Sequence, residues 1–242
     1  MSRDLISPKK MIISFLILSF GLLVAFMSPT NEMNFWNKLL EMITNKWVTI
    51  MLLVAIVNAT TYLNSDERKN ANFLIRFQNL SSFFKKNIDQ IWKIVLIFIL
   101  YVMFVSFFGS FIFCGHNNIE NINYLYYNIP MWLYILFYVF KLYFFMLGMG
   151  ILTYLLQFKF SNYIIVILLM VFIAMMLVVE VSTKIDDIYN MPILISNYFK
   201  IIEYSTFFLE MFSNLIQLMI MNFVILIIFN YYSNKKWRNK II

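Results

Sequence analysis

The sequence predicts an all-α polytopic membrane protein with six transmembrane helices and both termini in the cytoplasm. Three observations carry this. Apolar residues make up 62% of the 242 residues and charged residues 13%, whereas a soluble globular chain is about half apolar and a quarter charged. Six windows are apolar for long enough to cross a hydrocarbon core of about 30 Å, which takes about 20 residues and at least about 17. The basic residues, finally, fall mainly in alternate connections between those windows. With 5 Gly, 4 Pro and 1 Cys, the chain has neither a collagen-like nor a disulfide-scaffold composition. The lone Cys114 cannot close an internal disulfide.

The windows are taken in chain order. Met11–Met27 is too long for a signal-peptide core, and no small-residue cleavage site follows it. Trp47–Leu63, Ile94–Cys114, Met131–Leu156, Tyr163–Val179 and Leu215–Tyr232 complete the set. Orientation follows from the cations flanking them, because cytoplasmic connections collect Lys and Arg. Arg3, Lys9 and Lys10 precede the first window, and Arg68, Lys69, Arg76, Lys85, Lys86 and Lys93 fall between the second and third. Lys159 follows the fourth, while Lys235, Lys236, Arg238 and Lys240 follow the last. Fourteen basic residues thus lie on one side. Only Lys38, Lys46, Lys184 and Lys200 lie on the other, with Lys141 inside a span. The net charge of +7 is a topological signal; nucleic-acid binding would need a basic face on a soluble domain. The C-terminal cations anchor the last helix or hold anionic lipid headgroups.

Two connections are patterned. In the cytoplasmic stretch 64–93, Ser65 is placed to cap a helix, and Asp66 and Glu67 fall in its first turn, where the helix dipole favours acids. Phe73, Phe77, Leu80, Phe84, Ile88 and Ile91 recur at spacings of three and four, an apolar helical stripe. Ser81-Ser82 is expected to divide the stretch into two helices, the second running into the third span. The pattern fits an interfacial helix on the bilayer and a docking helix for a cytoplasmic partner equally well. The extracellular connection 180–214 holds Pro192 and a semi-apolar run over 193–212 that Lys200, Glu203 and Glu210 make too polar to span, so short interfacial helices are expected there.

Chemistry for catalysis is scarce. A single histidine, His116, excludes two-histidine metal sites. Its neighbour Cys114 lacks an orienting third group for a thiol–base pair. No Gly-x-x-x-x-Gly-Lys-Ser/Thr loop is present, so the chain cannot hydrolyse ATP by itself. The expectation is no catalytic residue, no metal and no cofactor. Gly148 and Gly150 read as helix-packing positions. Lys141, near mid-membrane, is costly there and calls for a cavity or a partner; either a functional or a structural pairing fits.

Asp66-Glu67-Arg68, then Phe73-Leu74-Ile75, Ser81-Ser82-Phe83-Phe84 and Lys93 before the third span form a pattern that resembles the permease subunit of ABC-2 type ABC transporters. It is most similar to the small bacterial permeases that export lantibiotics or other amphipathic peptides, or confer immunity to them. The resemblance covers the whole chain as topology and residues 64–93 as pattern. Two departures stand out: only about ten residues precede the first span, and the Ser-Ser-Phe turn lacks the proline often seen there.

The resemblance implies a plasma-membrane subunit that is not itself an enzyme. Separate cytoplasmic ATPase subunits would bind ATP and Mg, and a second permease, identical or related, would complete the transporter. The helix over 65–82 would dock on the ATPase, with Phe73 and Phe77 as apolar anchors and Glu67, Arg68 and Arg76 as polar contacts. The second and fifth spans would line the path of an amphipathic peptide, cationic in some cases, or of a lipid-like substrate. That gives Asn58, Thr60, Thr61 and Met170 as candidate path residues, with Lys141 of the fourth span and Glu180 at the end of the fifth beside them. The competing reading is an ATP-independent immunity or membrane-assembly protein.

Overall fold

The structure, a computed structural model, describes residues 8–27, 34–65, 80–114, 123–124, 129–159 and 218–227, with a few single helical positions besides. Its helices are α1 (Pro8–Phe26), α2 (Phe35–Thr44), α3 (Lys46–Ser65), α4 (Leu80–Cys114) and α5 (Met131–Lys159), with a further apolar helix at Leu218–Ile227. A two-residue antiparallel ladder, β1 (Asn123–Tyr124) with β2 (Ile129–Pro130), leads into α5. The protein is otherwise helical over the described residues, and its long apolar helices make it a membrane protein.

The helix starts follow from local chemistry. Pro8 opens α1, where its fixed φ suits the first turn and its missing N–H costs no bond. Asn34 caps α2 and Asn45 caps α3 in the same way: each side-chain oxygen accepts the backbone N–H two residues on, from Trp36 and Trp47, both at 2.9 Å. Helix α4 runs unbroken from Leu80, with Ser81-Ser82 in its first turn. A helix that begins here and runs into the third span is the second of the two expected helices, and the first lies outside the described residues.

The expected span count is shown in part. Among the described residues three helices are long and apolar enough to cross a membrane, over Lys9–Phe26, Lys85–Cys114 and Met131–Gln157. A fourth is reached only when α2 and α3, bent by 47°, count as one broken span or re-entrant loop. Three to four of the six expected spans are therefore shown among the described residues. The connection before the second window contains the α2 helix, and the window 215–232 is described over Leu218–Ile227. The window 163–179, but for single positions, and the whole connection 180–214 lie outside the described residues. At about 1.5 Å per residue, the 30-residue window of α4 is about 45 Å long and exceeds the hydrocarbon core by about 15 Å.

Side-chain pairings fix the helix directions. Gly21 faces Met51 and Ser14 bonds Ala55, so α1 and α3 are antiparallel. Phe15 meets Phe98 and Phe26 meets Phe113, so α1 and α4 are parallel. Asn87 bonds Tyr154 and Trp92 touches Tyr143, so α4 and α5 are antiparallel. The starts of α1 and α4 and the end of α5 therefore share one end of the bundle. That end collects Lys9, Lys10, Lys85, Lys86, Lys93 and Lys159, and we call it the basic end.

Helix α3 is the centre: from Val48 to Thr60 its side chains are buried or half-buried. Helix α1 turns Ile12, Leu16, Phe20 and Leu23 outward, and α4 turns out Ile97, Leu100, Phe104 and Phe108, as lipid-facing surfaces do. In lipid, apolar burial does not drive helices together; close packing across small residues does. An added Cβ on Gly21 would lie 2.9 Å from Met51 Cβ. One on Gly150 would lie 2.9 Å from Ile91 Cγ2 and 3.3 Å from Ile56 Cγ2. At Gly150, three helices meet where only hydrogen fits.

Candidate functional site

Few polar groups lie inside the bundle, and each is a point where function could be housed. At the basic end, Asn58 of α3 donates to Ser14 Oγ at 3.0 Å and to the Lys10 carbonyl at 3.3 Å. Ser14 in turn donates to the Ala55 carbonyl at 3.1 Å, and Thr61 donates to the Asn58 carbonyl at 2.8 Å. The amide thus clamps α1 to α3. Replacing it, as Asn58→Leu, is expected to cost about 1 kcal/mol, the usual size of an interhelical hydrogen bond in a membrane. Reversible unfolding in mixed detergent micelles measures that loss.

Closer still to the basic end, Asn87 Nδ2 donates to the Tyr154 hydroxyl at 2.5 Å, joining α4 to α5 with both residues buried. Ser19 and Tyr101 share a hydrogen bond of 2.7 Å between α1 and α4. On the other side of α5, Asn222 donates to the Phe144 carbonyl at 3.0 Å and is only 8% exposed. Its carbonyl oxygen makes no hydrogen bond and lies over Gly148, where an added Cβ would be 2.6 Å away.

Lys141 of α5 is buried at 6% exposure. The contact of Gly150 with Ile56 sets its height relative to Asn58. Lys141 is nine residues from Gly150 toward the opposite end, and Asn58 is two residues from Ile56 toward the basic end. At 1.5 Å per residue the two lie about 16 Å apart along the bundle. The structure brings Asn58 and Thr61 together and sets Lys141 at another level. Met170 and Glu180 of the expected path, and Glu67, Arg68, Phe73, Arg76 and Phe77 of the expected docking helix, lie outside the described residues. So does His116.

A second buried cation is one that the sequence placed only as a charge in a connection. Lys38 is 0% exposed on the buried face of α2. Its ammonium lies 3.4 Å from Glu41 Oε2 and 4.8 Å from the centroid of the Phe113 ring. Phe35, Leu39, Met42 and Ile43 share that face, and Cys114 packs beside it. The signal was present, since Phe35, Lys38, Leu39 and Met42 follow the i, i+3, i+4, i+7 spacing of one helical face. Asn87, Tyr154 and Asn222 carried no comparable signal, because one polar residue in an apolar helix does not reveal its partner.

Among the described residues no group of three or more His, Cys, Asp or Glu could hold a metal ion. What the arrangement offers is a set of interhelical polar clamps, two buried ammonium groups and a charged foot on α4. No protein-family model, no curated protein and no solved structure matches this chain.

Proposed function

We propose that the chain is the membrane-spanning subunit of an ATP-driven ABC transporter of the ABC-2 type, in a bacterial plasma membrane, exporting or expelling an amphipathic peptide. In this proposal the segments 163–179 and 215–232 supply the fifth and sixth spans, and the basic end faces the cytoplasm. ATP and Mg belong to a separate ATPase subunit. The observation that carries the reading is the foot of α4, where the helix continues about 15 Å beyond a membrane's hydrocarbon thickness. It is exposed and charged at Lys85, Lys86, Asp89 and Lys93, with Lys93 and Asp89 paired at 2.7 Å. A lever of this kind, continuous with a span and following the patterned stretch 64–79, can pass a push from a cytoplasmic motor into the bilayer.

The packing of α3 supports a two-subunit transporter. With Asn58 committed to α1 and Ser14, and Val48 to Thr60 buried or half-buried, α3 presents no exposed polar side chain over those residues for a path through one copy. In the proposal, the substrate path forms between two permease chains.

The test is association with any ABC ATPase encoded beside the gene. Co-expression and purification are expected to recover both subunits together. Phe73→Asp with Phe77→Asp is expected to reduce ATPase recovery at least tenfold while the permease still purifies as a folded species. Retention of the ATPase by the double variant would remove the docking assignment. Absence of any co-purifying ATPase would favour a stand-alone membrane protein.

A further inference from the structure

Helix α2 is held differently from the rest of the bundle. One residue, Asn45, separates it from α3, and the two axes differ by 47°. Each helix has its own asparagine cap, so turning at Asn45 interrupts no hydrogen-bond ladder within either. On its buried face, Phe35, Leu39 and Ile43 pack on Met131, Tyr134 and Ile135 of α5, and Phe35 meets Phe107 of α4 at 5.2 Å between ring centroids. Met42 lies against Gly109, where an added Cβ would meet its Cε at 3.1 Å and its Sδ at 3.3 Å. Its sulfur also accepts a weak bond from Ser110 at 3.7 Å.

The ground beneath this seat is polar. Ser106, one turn from Ser110 on the same face of α4, has a buried hydroxyl with no hydrogen bond. Thr49 in the first turn of α3 is in the same position, as is Trp36 Nε1 on α2 itself. Lys38, on the same helix as Trp36, is fully buried as well. Buried polar atoms without partners penalise the packed state, and water reaching them on opening would relieve that penalty. The seated arrangement is therefore built from soft contacts, Met42 sulfur and a cation over a ring, above groups that gain by being wetted.

We propose that α2 is a lid over the end of the bundle opposite the basic end. It swings as a unit about Asn45 and uncovers Lys38 and the serine-bearing face of α4. The proposal stands independently of the transporter reading.

Thiol labelling in lipid nanodiscs, where both membrane faces are accessible, tests it with a membrane-impermeant maleimide. In a Cys114→Ser background, Ile43→Cys places a thiol under the lid. Val48→Cys places one in the core at the same end of α3. Gly109→Leu is then added to each, filling the seat of Met42. The expected result is a labelling rate at least tenfold higher at position 43 with position 48 unchanged. An unchanged rate at 43 shows a static α2, and an equal rise at both positions shows general loosening of the bundle; either overturns the lid.

Discussion

Gly150→Leu is expected to abolish a stable bundle, with loss of at least about 3 kcal/mol and a correspondingly small folded fraction after detergent extraction. The reason lies in what surrounds the residue. A Cβ there would already stand 2.9 Å from Ile91 Cγ2 and 3.3 Å from Ile56 Cγ2, with Val95 Cγ2 at 3.8 Å. Those methyls belong to α4 and α3, and Ile91, Ile56 and Val95 are all fully buried. None of the three can move without moving a helix. Two effects oppose each other in the smaller substitution Gly150→Ala. Alanine gains up to about 1 kcal/mol of helix propensity over glycine, and overpacking a core costs about 1–3 kcal/mol. The alanine variant should therefore be mildly destabilised, while leucine, with three further carbons, has no compensating gain. Phe104→Leu, on a side chain 64% exposed on the outer face of α4, is the matched control and should leave the unfolding midpoint in place. Equal stability of Gly150→Leu and the control would mean that the helix crossing is wrongly placed.

How far the sequence could be read depended on the kind of signal each part gave. Apolar length is a one-dimensional property, so Met131–Leu156 predicted α5 closely and Ile94–Cys114 predicted the membrane part of α4. Charge asymmetry predicted which helix ends lie together, for a related reason. Lys9, Lys10, Lys85, Lys86, Lys93 and Lys159 come to one end because the helices alternate in direction, and alternation follows from chain connectivity alone. Helix α2 was missed although its stripe was legible. A ten-residue helix is too short to span, and a search for spans passes over it. Lys38 was accordingly counted as a loop cation, although it lies at a stripe position. Asn58 was read by its chemistry as a path residue, and the structure shows which helix it faces. That depends on the rotation of α3 about its axis, which no local pattern encodes when the helix is apolar all round. The two glycines were legible as packing positions, but not which helices they admit.

The second large effect is expected at Gly148, and it is best read as a double-mutant cycle with Asn222. Gly148 is the point where the Leu218–Ile227 helix meets α5. An added Cβ would stand 2.6 Å from Asn222 Oδ1 and 2.8 Å from Met221 Cε. The methionine methyl is the end of a flexible side chain and can swing away. The amide cannot, because Asn222 Nδ2 is tied to the Phe144 carbonyl at 3.0 Å. Gly148→Ala is thus expected to break that hydrogen bond or lift the helix, at a cost of about 2 kcal/mol, near the middle of the overpacking range. Asn222→Ala alone removes the bond and should cost about 1 kcal/mol. It also removes the obstacle, so Gly148→Ala in the Asn222→Ala background should add almost nothing. The coupling is predicted to be about 1–2 kcal/mol and favourable, well above the few tenths expected of independent sites. Additive losses would show that the clash at Gly148 comes from Met221 or from the backbone. The cycle therefore distinguishes a docking contact made by one amide from general crowding between α5 and the Leu218–Ile227 helix.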